Sequence, residues 1–270
     1  MPNEHGLAGA WPWRHRELIW QFARREVLSR YRGSWLGAGW TVLTPLAMLL
    51  IYTLVFKHVF KTRWPGDVGE GHLDFALQLY AGLIVFNWTA ELIGRAPRLI
   101  LEQPNLVTKV VFPLPVLGWS ALVASAFQTA ISTAIWLLAC MVGGHAPSLS
   151  WLAVPVVLAL WAPWLLGLSW LLGSLGVYLR DLSQLVALVL SGLMFVSPVF
   201  YPSAALPAWL QPLAQLNPLT LPIEALRAAT LGAQTLPWTT LALHAAAGGL
   251  LCALGLALMQ RLQKGFADVL

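Results

Sequence analysis

"RREVLSRYRGSWLGAGWTVLTPL", Arg24 to Leu46, changes character at Gly33, where a basic run passes directly into a long apolar one. Three readings compete for such a junction: a secretory signal peptide, a nucleic-acid-binding arm, or a helix lying on a membrane surface. A signal peptide carries an apolar core of about 7 to 15 residues close to the N-terminus. Here the apolar run starts only after Arg32 and is longer than that. A nucleic-acid arm fits poorly with a span that follows at once. What remains is a basic helix in the interface plane, its cations near anionic headgroups, feeding a first membrane span.

The rest of the chain agrees with a membrane class. Of its 270 residues 58% are hydrophobic and 10% charged, whereas a soluble domain carries about 25% charged residues. No Lys, Arg, Asp or Glu occurs between Val110 and Leu179, between Leu182 and Ile223, or between Ala228 and Gln260, and these stretches have bilayer dimensions. Cys140 and Cys252 sit in apolar runs and read as small hydrophobes, not as a disulfide framework. His145 and His244 have no acidic, Cys or His neighbour at ligand spacing, so no metal is expected.

Spans must satisfy their own backbone hydrogen bonds, which predicts helices of about 20 residues. The fold class is therefore all-α integral membrane. Six spans are expected near 35–56, 75–94, 117–142, 151–179, 185–201 and 238–260. The second ends in Glu91 and Arg95, whose i, i+4 spacing predicts an ion pair at the membrane surface. "GGHAPSLS", Gly143 to Ser150, supplies the turn between the third and fourth. The organisation is a cytoplasmic segment 1–33 with the interfacial helix, a transmembrane domain 34–262 and a tail 263–270. With the N-terminus inside, twelve cations are cytoplasmic: Arg14, Arg16, Arg24, Arg25, Arg30, Arg32, Arg95, Arg98, Lys109, Arg180, Arg261 and Lys264. Only Lys57, Lys61, Arg63 and Arg227 lie outside, so the positive-inside bias puts both termini in the cytoplasm.

Between the fifth and sixth spans, 203–236 is apolar yet interrupted by Pro207, Pro212, Pro218 and Pro222. Proline at such intervals breaks a single helix. The expectation is two short re-entrant helices dipping into the outer leaflet, ending in a Glu224–Arg227 pair; the alternative is a loop on the lipid surface. In the basic helix, Trp20, Ala23, Val27 and Tyr31 would line one side and Gln21, Arg25, Ser29 and Arg32 the other, with Leu18 and Phe22 out of place on the polar side. "GSWLG", Gly33 to Gly37, with Gly167, Gly173, Gly176, Gly248 and Gly249, offers small patches for close helix approach.

The stretch from Arg24 to Leu46, "NLVTKVVFPLPVL" (Asn105 to Leu117), "RDLSQLV" (Arg180 to Val186), "SPVFYP" (Ser197 to Pro202), "LNPLTLPIEALRAATLG" and the terminal "FADVL" stand in an order that resembles the membrane subunit of type-2 ABC exporters of polysaccharides. The resemblance covers nearly everything after residue 17. It implies a homodimeric channel in the bacterial inner membrane, driven by two copies of a separate ATPase that binds ATP and magnesium. The substrate it implies is a lipid-linked polysaccharide, O-antigen foremost, with capsular polysaccharide or teichoic acid as alternatives. No G-x-x-x-x-G-K-[ST] phosphate loop occurs in the sequence, so no cofactor and no catalysis are expected of this chain. No segment is large enough for a carbohydrate-binding domain, which would belong to the ATPase.

The resemblance also assigns candidate sites. Arg25, Arg32, Glu102, Asn105, Lys109, Arg180 and Asp181 are candidates for coupling to the ATPase, with a plain topological anchor, a solvated loop or a turn-stabilising Arg180–Asp181 pair as the simpler readings. Glu102, Asn105 and Lys109 belong to the loop Arg95 to Pro113, which has room for a short helix ending before Pro104. Tyr52, Trp88, Phe195, Phe200 and Tyr201 are rings that a sugar could pass; lipid or core packing is the competing role of each. Pro218, Glu224 and Arg227 are candidates for a periplasmic gate. Two rival classes remain. A secondary transporter would place ionisable groups inside the membrane for ion coupling. An embedded transferase would need paired carboxylates or an activated nucleophile, and the long central stretches supply neither.

Overall fold

A computed structural model of the chain describes residues 12–30, 32–55, 72–110, 112–232 and 235–270, and all regular structure among them is helical. In chain order the helices are α1 (Arg16–Arg30), α2 (Trp40–Leu54), α3 (His72–Arg95), α4 (Pro104–Thr108), α5 (Pro115–Val142), α6 (Ala153–Tyr178), α7 (Leu182–Val196), α8 (Gln211–Leu216), α9 (Thr220–Thr230), α10 (Trp238–Leu262) and α11 (Phe266–Val269). Five of the described helical stretches are long and apolar enough to cross a membrane: α2, which reaches 18 residues with the 3-10 turn Gly37–Gly39 that continues into it, and α3, α5, α6 and α10. The sequence predicts six crossings, and the difference is α7. Its 15 residues reach only about 22 Å at 1.5 Å per residue, short of a hydrocarbon core of about 30 Å. It stops at Ser197 because a residue preceding proline avoids the helical region, and Ser197 is extended with ψ 147°.

The core is centred on α3, whose most apolar stretch is 78% buried, against 17% for α2. α5 and α6 flank it, α2 rests on α3 and α5, and α10 lies along α6. The α6–α10 seam explains itself through glycine. A Cβ on Gly255 would come within 2.3 Å of the Gly167 carbonyl oxygen, and one on Gly167 would come within 2.6 Å of the Cys252 nitrogen. Gly248 faces the Trp164 ring and Gly173 faces the Ala96 carbonyl. Gly249, in contrast, faces open space. Gly33 and Gly37 are also open, but their φ angles are +80° and +51°. The "GSWLG" pattern is therefore a bend rather than a packing patch: α1 ends at Arg30, two left-handed glycines turn the chain, and a 3-10 turn at Gly37–Gly39 starts α2.

Proline leaves a second imprint. A proline inside a helix cannot donate to the carbonyl four residues before it, and at membrane depth that carbonyl needs another donor. Pro45 frees the carbonyl of Thr41, and Gln128 of α5 donates its side-chain N–H to it at 3.1 Å. Pro222 frees the carbonyl of Pro218, and His244 of α10 donates to that one at 2.9 Å. Tryptophans also bridge helices: Trp136 donates to the Leu77 carbonyl, Trp170 to that of Pro115 and Trp164 to that of His244, while Trp161 donates to the Thr89 hydroxyl and Trp88 to the Ser125 hydroxyl.

Candidate functional site

At the end of the helices where α1 lies, α1 is rotated relative to the expected face. Ile19 and Ala23 are buried, Phe22 packs on Phe112 with ring centroids 5.4 Å apart, and Trp20 is exposed. Tyr31 lies outside the described residues. The rotation brings charge to charge. Glu26 Oε1 lies 3.0 Å from Arg30 Nη2 and 2.5 Å from Arg95 Nη1, and Arg30 Nη1 pairs with Glu91 Oε1. The expected Glu91–Arg95 pair is thus replaced by cross-helix pairs: each residue takes an oppositely charged partner from α1, and the result clamps α1 to α3. Burial opposes the charge of Arg30, but Glu91 and Glu26 outweigh it and raise its pKa above the ordinary arginine value. Replacing Glu26 by Gln removes the shared partner of Arg30 and Arg95. A partly buried network exceeds the roughly 0.5 kcal/mol of an exposed pair, so labelling of a cysteine placed at the buried Ala23 should accelerate about fivefold in Glu26→Gln.

The remaining coupling candidates lie around this clamp. Arg25 sits over the Phe22 ring, 5.1 Å from its centroid, and with Glu26, Arg95, Glu102 and Gln103 lines a cavity of about 200 Å³. Arg32, Glu102, Asn105 and Lys109 are exposed. The short helix of this loop starts at Pro104 rather than ending before it, because proline suits the first helical position, where its missing N–H costs nothing. Arg180 and Asp181 are both exposed and make no ion pair with each other; the turn is held by the Asp181 carbonyl, which accepts from Gln184 and Leu185. The loop is seated on α6 at Gly176, where a Cβ would fall 2.0 Å from the Pro97 carbonyl oxygen.

At the opposite end, the chain after α7 runs as a non-helical strap against α3. A Cβ on Gly82 of α3 would meet Val199 Cα and Arg227 Nη2 at 3.0 Å each. Arg227, 6% exposed, donates Nε–H to the Gln78 carbonyl at 2.8 Å, Nη1 to Pro198 at 2.6 Å and Nη2 to Val199 at 2.8 Å. Glu224 accepts from the Ser203 N–H at 3.1 Å and lies close enough to attract the Arg227 guanidinium. Both members of the expected Glu224–Arg227 pair therefore also anchor backbone, since an extended strap has carbonyls and amides that no helix satisfies. Asn217 adds to it, donating to Ser197 Oγ at 2.8 Å and accepting from the Leu219 N–H at 3.0 Å.

Of the rings, three meet. Phe195 is exposed and stacks on Phe200 at 6.1 Å, and Tyr201 donates its hydroxyl to the Phe195 carbonyl. Tyr52 is half-buried on α2 and Trp88 lies in the core, its N–H on Ser125. Sequence reasoning did not single out Asn87, the one exposed side chain among those described on α3, or Gln128 and Ser132, which with Asn87 line a polar cleft of about 40 Å³. Their signal was available as polar residues inside expected spans. Among the described residues no group of three His, Cys, Asp or Glu could hold a metal.

Known proteins resemble this chain over most of its length. It is 31% identical over 190 residues, 70% of both chains, to the O-antigen export system permease protein RfbA of Myxococcus xanthus. It is 24% identical over 255 residues to the O-antigen export system permease protein RfbA of Klebsiella pneumoniae, covering 94% of this chain and 95% of the relative. It is 23% identical over 208 residues, 77% of this chain and 78% of the relative, to the polysialic acid transport protein KpsM of Escherichia coli. The ABC-2 type transporter pattern matches residues 17–231, from the first turn of α1 to just past α9, so the clamp, the long helices α2, α3, α5 and α6 and the Arg227 strap lie within it while α10 lies beyond it, and the chain belongs to the ABC-2 type transporter family.

Proposed function

We propose that this chain is the channel-forming permease of an ATP-driven exporter that moves a lipid-linked O-antigen polysaccharide from the cytoplasm across the bacterial inner membrane. The observation that carries this reading is the likeness, over 94% of the chain, to a relative named for O-antigen export. Two copies of the chain form the channel and two copies of a separate ATPase, holding ATP and magnesium, drive it. Both termini face the cytoplasm, the segment 1–33 and the tail 263–270 flank the membrane domain 34–262, and α8 and α9 dip into the outer leaflet as a gate held by Pro218, Glu224 and Arg227. The ATPase seats against the α1 clamp, Arg25, Arg32, the loop bearing Glu102, Asn105 and Lys109, and the Arg180–Asp181 turn. The polymer passes the polar cleft at Asn87 and the Phe195–Phe200–Tyr201 rings, whose faces bind sugar C–H surfaces without fixed hydrogen bonds.

The likeness to a polysialic acid transport protein favours a capsular polysaccharide as the second reading. Expression with its ATPase in strains lacking either an O-antigen or a capsule permease separates the two. A restored ladder of lipopolysaccharide in the first strain supports O-antigen, restored capsule in the second alone supports the alternative, and restoration in neither overturns both. In the restored strain, Phe200→Ala should slow export about three- to tenfold with ATP hydrolysis retained, since a stacked aromatic pair contributes about 0.5–1.5 kcal/mol; unchanged export would remove the rings from the path.

A further inference from the structure

His244 is the group the proposed function leaves unused. It lies on α10 about 9 Å below Trp238 at 1.5 Å per residue, at a depth where an ionisable side chain marks function and has a definable partner. That partner is the Pro218 carbonyl in the hinge between α8 and α9, 2.9 Å from His244 Nε2. Pro222 is the reason the carbonyl is available, because the donor four residues on has no N–H. Neighbouring rings hold the imidazole in this orientation. It stacks beside Trp161 and Trp164, at 5.6 and 5.0 Å between centroids, and the His244 carbonyl accepts from Trp164. On the other side of the hinge, Asn217 holds Ser197 at the end of α7.

We propose that His244 is a positioning residue of the outer gate: its Nε2–H bond to Pro218 latches the α8–α9 hinge to the rigid α6–α10 pair and sets how readily α8 swings away. This rests on the reading of α8 and α9 as a gate. The bond substitutes for one that Pro222 cannot make, so the latch is a hydrogen-bond device and not a matter of ring volume.

The test uses the permease–ATPase complex in nanodiscs, with Ala214, buried on α8, replaced by Cys and labelled with a charged maleimide. His244→Phe keeps a ring for the stack but removes the donor, and the Ala214→Cys labelling rate should rise about fivefold, the effect of one lost hydrogen bond. His244→Gln retains an N–H and should keep the rate near the parent value. The decisive variant is Pro222→Ala in the His244→Phe background. It places an N–H within the helix that can reach the Pro218 carbonyl, and it should return the rate to the parent value. A rise in His244→Phe that Pro222→Ala leaves in place would mean packing and overturn the latch, as would no rise at all. ATP-stimulated labelling of the Ala214→Cys parent reports on the gate separately. Its absence overturns the gate reading, whatever His244 does.

Discussion

Replacing Gly176 by alanine is expected to prevent assembly of a stable permease. The added Cβ would fall 2.0 Å from the Pro97 carbonyl oxygen and 2.7 Å from the Pro97 carbonyl carbon. Both sides of the contact are backbone, α6 on one and the 3-10 turn Ala96–Arg98 on the other, so no side chain can swing aside. Overpacking a filled site costs about 1–3 kcal/mol and more where backbones must part. The loop that follows this turn carries Glu102, Asn105 and Lys109, so the damage reaches the proposed ATPase surface as well as stability. Gly249→Ala is the matched control. It meets nothing within 4 Å and exchanges glycine for a better helix former, worth up to about 1 kcal/mol. Fluorescence-detected gel filtration after heating should show Gly176→Ala aggregating at the lowest temperature and Gly249→Ala at or above the parent value. Equal melting of the two would contradict the close contact.

Arg227→Leu should be nearly as damaging. The substitution keeps an apolar stem but strips three donors from the carbonyls of Gln78, Pro198 and Val199. Each buried acceptor left without its partner costs about 1–3 kcal/mol, and no water is at hand in a packed membrane domain to replace it. The strap that finishes the short α7 then loses its hold on α3. Expression should fall severely, and any folded protein should export poorly. Arg227→Lys retains charge but offers only one donor direction at a time, so it should recover part of the folded yield and not the whole. A lysine variant equal to the parent would show that charge, not the three-way fork, is what matters.

The spans are legible because hydrophobic run length is a local property. α5 and α6 fall within two residues of the expected bounds, and α10 ends two residues beyond its own. α7 departs from its expected span because Pro198, visible in the sequence, lies inside it, and the residue before a proline has to leave the helix. The charged pairs differ for another reason. Glu91 and Arg95 have correct spacing for each other, yet helix α1, distant by 69 residues at Glu26, offers each a partner in a less exposed setting. Arg227 likewise reads in sequence only as the partner of Glu224, since nothing local shows that extended backbone at Pro198 and Val199 will need donors. The tryptophans show the limit most clearly. Position along a span separates interfacial rings such as Trp238 from deep ones, but whether Trp136 packs, binds or donates depends on a carbonyl 59 residues away.

The proposed polysaccharide channel, powered by a separate ATPase, makes a demand that reconstitution can check. The purified chain is placed in proteoliposomes, alone or with the partner ATPase, together with a lipid-linked glycan accessible only from the ATP-loaded side. A glycosidase on the opposite side then reports translocation. Cleavage is expected only when partner and ATP are both present, with no ATP hydrolysis by the chain by itself. Glycan crossing without the partner, or hydrolysis by the chain alone, would overturn the division of labour between channel and motor.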